Sequence, residues 1–332
     1  MMSVERVVDL VRAGERFLVM GHRRPDADAF GSALGWAAFL RAAGKHADVY
    51  VPDALAPSLE YLRDAAVVHA TLPAEARYDA AFVMDTAARA LLPTPLPPRD
   101  VRGPLVVVDH HAAHDDVGDV VVRDVGACAT GEVVIALGRA LGVEAIPADA
   151  ARPLYAAIVA DTGGFRYPTT SAHTLRLGAE LLDAGADPWE AAYSLFEGWE
   201  PARLRLLSAV IDTLETHLDG RLAILRVTRE MLSSLGADDD MVEGLVSYGR
   251  ALRGVEVAAL LWEWPRAGGT SAGGTAALDT KVSLRSQGRA DVSVIAVELG
   301  GGGHRGAAGA QVEASLDETA RLVRKSCARL LE

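Results

Sequence analysis

Three short apolar runs constrain this chain more than any other feature: Arg16-Phe17-Leu18-Val19-Met20, Ala80-Ala81-Phe82-Val83-Met84 and Leu105-Val106-Val107-Val108. A strand with one wet face alternates apolar and polar residues, whereas these runs do not alternate. They read as strands buried on both sides, which is the habit of a mostly parallel sheet flanked by helices. Ala47 to Val51 reads as another strand of the same set. Helical stretches lie between and after them. Gly31 to Ala43 is rich in Ala and Leu and stops at Gly44. Gly131 to Leu141 follows Thr130 as N-cap, and Ala148 to Ala160 and Ala172 to Ala184 come next. The first half is therefore expected to be α/β.

A second alternation starts at Leu222 to Val227 and continues with strands at Val255 to Trp262 and Lys281 to Arg285. Gly268 to Gly274 reads as a hairpin loop, and a last helix starts near Ser315. A chain of 332 residues is long for one hydrophobic core. We expect a larger domain over residues 1–195, a helical linker over 196–216 and a smaller α/β domain over 217–332.

Half of the residues are apolar and only 5% are aromatic, so the core must be built largely from Ala, Val and Leu. No apolar run approaches the roughly 20 residues that span a bilayer. The opening Met1-Met2-Ser3-Val4-Glu5-Arg6 does not read as a secretory signal. The two cysteines, Cys128 and Cys327, lack metal-ligand spacing and fit buried thiols in a reducing cytoplasm. The formal net charge of −12 argues against a protein that coats long nucleic acids, because such binding neutralises many phosphates. It leaves room for a small phosphate-bearing substrate held through bound cations.

Four clusters of acids and imidazoles stand at the ends of the apolar elements in the first half. They are His22 with Asp26 and Asp28, then Asp85, then Asp109-His110-His111, then Asp161. Ligands of open α/β sheets bind beyond the carboxyl ends of strands, so a fold that joins these ends gathers several carboxylates. Like charges packed together repel or take up protons, and divalent cations remove that conflict. Asp oxygens and His nitrogens without Cys favour Mn2+, with Mg2+, Co2+ or Zn2+ behind it. The donors suffice for two ions, and two ions about 3.5–4 Å apart suit in-line displacement at phosphorus. The spacing of Asp26 and Asp28 places both on one side of an extended loop. His110 and His111 must point in different directions, so one can be a ligand while the other touches the phosphate or leaving group.

These residues resemble the DHH phosphoesterase superfamily, whose name-giving triplet stands here as Asp109-His110-His111. The resemblance implies that His22, Asp26 and Asp85 hold one metal, and that Asp28, Asp85, His110 and Asp161 hold the other. It implies that Asp109 orients the site or binds weakly, and that His111 contacts the scissile phosphate. Ser283-Leu284-Arg285-Ser286, Asp291-Val292-Ser293 and Gly300-Gly301-Gly302-Gly303-His304-Arg305-Gly306-Ala307-Ala308-Gly309 resemble the DHH-associated domain of the first type. The resemblance assigns substrate binding to Arg285, Ser286, Gly301, Gly302, Gly303 and His304. A glycine run lets backbone N–H groups approach phosphate, and an Arg holds it with a fork of donors.

Within the superfamily, size and layout are similar to the nano-RNases. Those are two-metal hydrolases of short oligoribonucleotides that also dephosphorylate 3′-phosphoadenosine 5′-phosphate. The resemblance implies an active site in the interdomain cleft, short RNA or DNA substrates of about two to five nucleotides, and release of nucleoside monophosphates. The rival within the superfamily is a phosphodiesterase of cyclic dinucleotides or their linear products. A homodimer rests on the resemblance alone. Two positions depart from the common pattern: Ala27 stands where many relatives have Gly, and His114 where they commonly have Asn. His46, His69, His173 and His217 read as surface or structural residues.

Overall fold

Burial on both faces organises the first sheet. The computed structural model describes residues 2–332 except Ala87, Ala113, His114, Asp116, 271–275, 288–289 and His304. Helix α1 (Met2–Ala13) leads into β1 (Arg16–Met20), α2 (Ala27–Ala42), β2 (His46–Tyr50), β3 (Val68–His69) and β4 (Ala80–Met84). Then come α3 (Arg99–Arg102), β5 (Leu105–Asp109) and β6 (Val120–Arg123). The six strands pair in the order β3-β2-β1-β4-β5-β6, all parallel. Four helices follow: α4 (Thr130–Ala140), α5 (Ala148–Asp161), α6 (Ala172–Asp183) and α7 (Pro188–Phe196).

Alternate residues of the central strands face opposite cores. Phe17, Val19, Phe82, Met84, Val106 and Val108 join residues of α2, α4 and α5. Leu18, Met20, Ala81, Val83 and Leu105 pack instead with Tyr50, Ala76, Tyr78, Leu72, Leu92 and Leu96. Neither face is wet, which is why the runs do not alternate. Helix α2 is buried from Ala27 to Leu40 and apolar almost all round, as a helix enclosed between layers must be. It meets α5 backbone to backbone at Gly31, where an added Cβ would sit 2.3 Å from the Pro153 carbonyl oxygen. That close crossing draws the start of α2 toward α5.

Two helix starts differ from the sequence expectation. Helix α2 begins at Ala27 rather than Gly31, because the Asp26 carboxylate caps it by accepting from the Ala29 N–H at 3.0 Å. Asp28 therefore lies in the first helical turn, and the expectation that it shares an extended loop with Asp26 is corrected. Helix α4 begins at Thr130, with Ala129 as N-cap, so Thr130 does not cap it.

Residue contacts divide the chain into two units, Met1–Gly198 and Trp199–Glu332. The second comprises α8 (Pro201–Ile211), β7 (Glu215–His217), β8 (Leu222–Val227), α9 (Arg229–Leu235), α10 (Val246–Arg250), β9 (Val257–Thr270) and β10 (Ala276–Ser286). It ends with α11 (Val292–Glu298), β11 (Gly302–Gly303), β12 (Ala307–Val312) and α12 (Leu316–Leu331). Its sheet runs β11-β12-β10-β9-β8-β7, with β8 and β9 parallel and the other pairs antiparallel. Leu222, Ile224, Ala259, Leu261, Val282 and Leu284 face α11 and α12. Ala223, Leu225, Val227, Ala258 and Leu260 face residues of α8, α9 and α10. Of the stretch expected as a hairpin loop, Gly268, Gly269 and Thr270 belong to β9. Thr270 still pairs with Ala276, and residues 271–275 lie outside the described residues. Among the described residues no helix is long and apolar enough to cross a membrane.

Candidate metal centre

The chain leaves β1 for β2 on one side and returns to β4 on the other, so the switch in strand order falls between β1 and β4. Open α/β sheets bind ligands beyond the carboxyl ends of the strands beside such a switch point. Met20, the end of β1, leads to His22; Asp85 follows β4; Asp109 closes β5 and delivers His110 and His111; Asp161 closes α5. Their donor atoms form three groups: His22–Asp26–Asp85, Asp85–His110–His111 and Asp28–His110–Asp161. Within each group the atoms lie within 4.8 Å of one another. Asp85 belongs to two groups and His110 to two, so the three are contiguous.

Asp85 turns its two oxygens to different partners. Its Oδ2 is 3.8 Å from His22 Nε2, and its Oδ1 is 3.6 Å from His110 Nε2. His22 Nε2 also lies 3.7 Å from Asp26 Oδ1. His110 Nε2 lies 3.2 Å from Asp161 Oδ2 and 3.8 Å from Asp28 Oδ2. Asp85 holds this pose at φ 58°, a left-handed conformation that a non-glycine residue keeps only where its surroundings impose it. Its N–H donates to the Val108 carbonyl at 2.8 Å.

The ring orientations separate the histidines by role. His22 Nδ1 faces the Arg23 carbonyl at 3.0 Å, and His110 Nδ1 faces the Ala127 carbonyl at 3.3 Å. An Nδ1–H held by a carbonyl leaves Nε2 with its lone pair turned into the site, the usual posture of a metal-binding imidazole. His111 is different. Its Nδ1 donates to Asp109 Oδ1 at 2.7 Å, so that nitrogen has no lone pair for a metal and Nε2 is the atom it can present. Asp109 is fully buried, and its Oδ2 has no hydrogen-bond partner among the described residues.

Charge crowding follows from this geometry. Burial, reinforced by the neighbouring carboxylates, pushes Asp28 and Asp85 up to about 7 and Asp161 to about 6. Burial opposes the charged imidazoles, yet Asp26 and Asp85 outweigh it at His22, raised to about 9. Asp161, Asp28 and Asp85 do the same at His110, raised to about 10. Burial also works against the Asp109 anion, but its bond to His111 wins and holds its pKa below the usual carboxylate value. Without a cation this centre must retain protons to limit repulsion, and a divalent ion can replace them. Oxygen and imidazole donors without sulfur complete a set that fits such ions.

A pH dependence follows. Asp28 and Asp85 have folded pKa values above the ordinary 3.8, so their contribution to stability is present below that value and lost as pH rises through about 7. His22 and His110 contribute fully below 6.5 and lose it as pH rises through about 9 and about 10. The metal-free protein is therefore expected to melt at progressively lower temperature from about pH 4 upward, while the rise in melting temperature on adding Mn2+ grows from about pH 6 to 9. Calorimetric titration near neutral pH should show proton release on binding. A Mn2+ effect that is flat across this range would separate metal binding from these groups.

The residues to which the resemblance assigns substrate binding fall in the second unit. Arg285, near the end of β10, donates from Nη1 to the Leu284 carbonyl at 3.0 Å and to Ser283 Oγ at 3.4 Å. It is paired with Ala307 of β12, and the next residue, Ala308, pairs with Gly303. Gly301 and Gly303 are required by packing, since an added Cβ would lie 2.0 Å from the Gly309 carbonyl oxygen and 2.5 Å from Ala308 Cα respectively. Gly302 has open space around it and is exposed. Ser286 is buried, and its Oγ donates to the Arg305 carbonyl at 3.3 Å. His304 and His114 lie outside the described residues.

Sequence reasoning missed Ser32 and the use made of Thr130. Ser32 Oγ donates to Asp28 Oδ1 at 2.9 Å across one helical turn. Starting α2 at its Asp26 cap would have revealed this i,i+4 pair. Thr130, read as a cap, donates through its hydroxyl to Asp85 Oδ1 at 3.0 Å. Among the described residues, His69, His173 and His217 have the carboxylate neighbours Asp48, Glu132 and Glu215, and none belongs to a three-donor group.

Residues 16–158 match the DHH family, N-terminal domain, and residues 219–329 match the DHHA1 domain. The chain is 33% identical over 316 residues to the bifunctional oligoribonuclease and PAP phosphatase NrnA of Thermus thermophilus, covering 92% of this chain and 87% of that protein. It is 26% identical over 307 residues to the Bacillus subtilis protein of the same name, with 91% and 90% covered. The crystal structure of an exopolyphosphatase-related protein from Bacteroides fragilis shares the fold, with a TM-score of 0.84 at 22% identity over 100% of this chain and 98% of that one.

Proposed function

From the premise that this chain belongs to the DHH family and carries a DHHA1 domain, we propose that it hydrolyses phosphoester bonds in short oligonucleotides and dephosphorylates 3′-phosphoadenosine 5′-phosphate. Substrates of about two to five nucleotides are released as nucleoside monophosphates. The observation that carries this reading is Asp85, whose two oxygens face two different acid–imidazole groups. His22, Asp26 and Asp85 would hold one divalent ion, and Asp28, Asp85, His110 and Asp161 a second, with Mn2+ the best match to these donors. Such ions would lower the pKa of water and offset charge gathering at phosphorus.

The protein groups supply orientation around that chemistry. His111, anchored through Nδ1 to Asp109, presents Nε2 to the scissile phosphate as a donor, and its raised pKa favours the charged form despite burial. Arg285 holds the terminal phosphate of the substrate with a planar fork of donors, and the Gly302 N–H adds a close backbone contact. Binding of that distant phosphate positions the reacting one, which restricts good substrates to short ones. Two buried free thiols suit a cytoplasmic setting.

The test is to supply Mn2+ and compare an RNA dinucleotide, a long RNA, a cyclic dinucleotide and 3′-phosphoadenosine 5′-phosphate. Fast mononucleotide release from the dinucleotide and phosphate release from the last are expected, with the long RNA slow. Preference for the cyclic dinucleotide would move the function to the rival reading. No turnover on any of them would refute this one.

A further inference from the structure

We propose that Thr130 is a positioning residue that ties the two halves of the metal centre together; the inference rests on the two-ion reading above. Three contacts carry it. The Thr130 hydroxyl donates to Asp85 Oδ1 at 3.0 Å, its backbone N–H donates to Asp28 Oδ2 at 2.6 Å, and the next N–H, of Gly131, donates to Asp28 Oδ1 at 3.0 Å. Thr130, Asp28 and Asp85 are all buried, at 0%, 0% and 4% exposure, so no water can take over these bonds without rearrangement. One residue thus grips the carboxylate shared by two donor groups and a carboxylate belonging to the third.

Counting lone pairs sharpens the consequence. An ionised carboxylate offers about four acceptor positions. On Asp28, Ser32 Oγ and Gly131 N–H occupy Oδ1, and Thr130 N–H occupies one position of Oδ2. A single position remains, on the oxygen that faces His110 Nε2 at 3.8 Å. Asp28 would therefore have one position, on Oδ2, to offer an ion. On Asp85, the Thr130 hydroxyl occupies one position of Oδ1, and positions on both oxygens would remain for ions. That hydroxyl holds the carboxylate plane and keeps Oδ2 turned to His22.

Helix α4 gives this arrangement its rigidity. Its first N–H groups have no partner inside the helix, and the Asp28 carboxylate satisfies two of them. The positive end of the helix also favours that anion. With Ala129 as N-cap, the Thr130 side chain is released from capping and free to reach Asp85.

The test compares Thr130→Val, which keeps the β-branched shape and loses the hydroxyl, with Thr130→Ser, which keeps the hydroxyl. Mn2+ binding is followed by calorimetry and by the resonance signal of free Mn2+, next to kcat and KM for an RNA dinucleotide. Thr130→Val should weaken Mn2+ binding by about 10–100-fold and lower kcat with little change in KM, as loss of a group that orients a ligand does. Thr130→Ser should stay within about threefold of the parent, because the donor is retained. Should Thr130→Val fail to fold, Thr130→Ala against Thr130→Ser repeats the comparison with a smaller side chain. Parent-like Mn2+ affinity in the valine variant overturns the inference. So does a weakening by serine as large as that by valine, because serine keeps the hydroxyl that the inference makes decisive. A parent protein that binds no Mn2+ would instead sink the two-ion reading itself.

Discussion

Asp85→Asn is expected to lower turnover of an RNA dinucleotide by at least about 10³-fold, the effect of losing roughly 4 kcal/mol of charge stabilisation at phosphorus. Asn has the shape of Asp but cannot bridge two cations as an anion. The choice matters for the backbone too, because φ 58° is a conformation that Asn adopts more easily than most residues. The fold should therefore survive. At neutral pH the metal-free variant should melt no lower than the parent, since burial and nearby carboxylates already raise the Asp85 pKa to about 7. Turnover, bound Mn2+ and melting temperature together decide the matter. Activity within about tenfold of the parent would show that Asp85 does not hold the ions.

Arg285→Ala is expected to cut turnover of the same dinucleotide by about 10²–10³-fold while Mn2+ content stays unchanged. Truncating one partner of a charge-assisted contact costs roughly 2–5 kcal/mol, and each 1.36 kcal/mol is tenfold in rate. The residue lies in the second unit, outside the three donor groups, so the metal centre has no reason to respond. Arg285→Lys should recover little, because an ammonium cannot reproduce the planar two-point grip on phosphate. Steady-state kinetics beside a metal assay reads both halves of this expectation. Full activity in the alanine variant would remove Arg285 from substrate binding, and loss of Mn2+ would mean it acts through folding.

The two variants probe parts that differ in how far they could be read from residues alone. The unbroken runs at Phe17–Met20, Ala80–Met84 and Leu105–Val108 announced strands buried on both faces, and the sheet has them at its centre. Their ends were legible as well, because an apolar run that stops at Asp or His marks where the chain returns to a polar setting. Helix starts were less legible. Capping is decided by a single hydrogen bond, and Asp26 and Thr130 each had two uses open to them.

The sequence by itself determined the double burial of the first sheet and the presence of acids and imidazoles where its strands end. These are local properties, set by hydropathy over a few neighbouring residues. Which of those groups meet was decided only by the tertiary structure. The strand order puts β1 beside β4 and so sets His22 against Asp85, and the close crossing of α2 and α5 at Gly31 accompanies the grouping of Asp28 with Asp161. The bond from Thr130 N–H to Asp28 joins residues 102 positions apart. Periodicity carries no information over that distance, because a hydrogen bond depends on where two backbones lie in space, and only the packed core decides that.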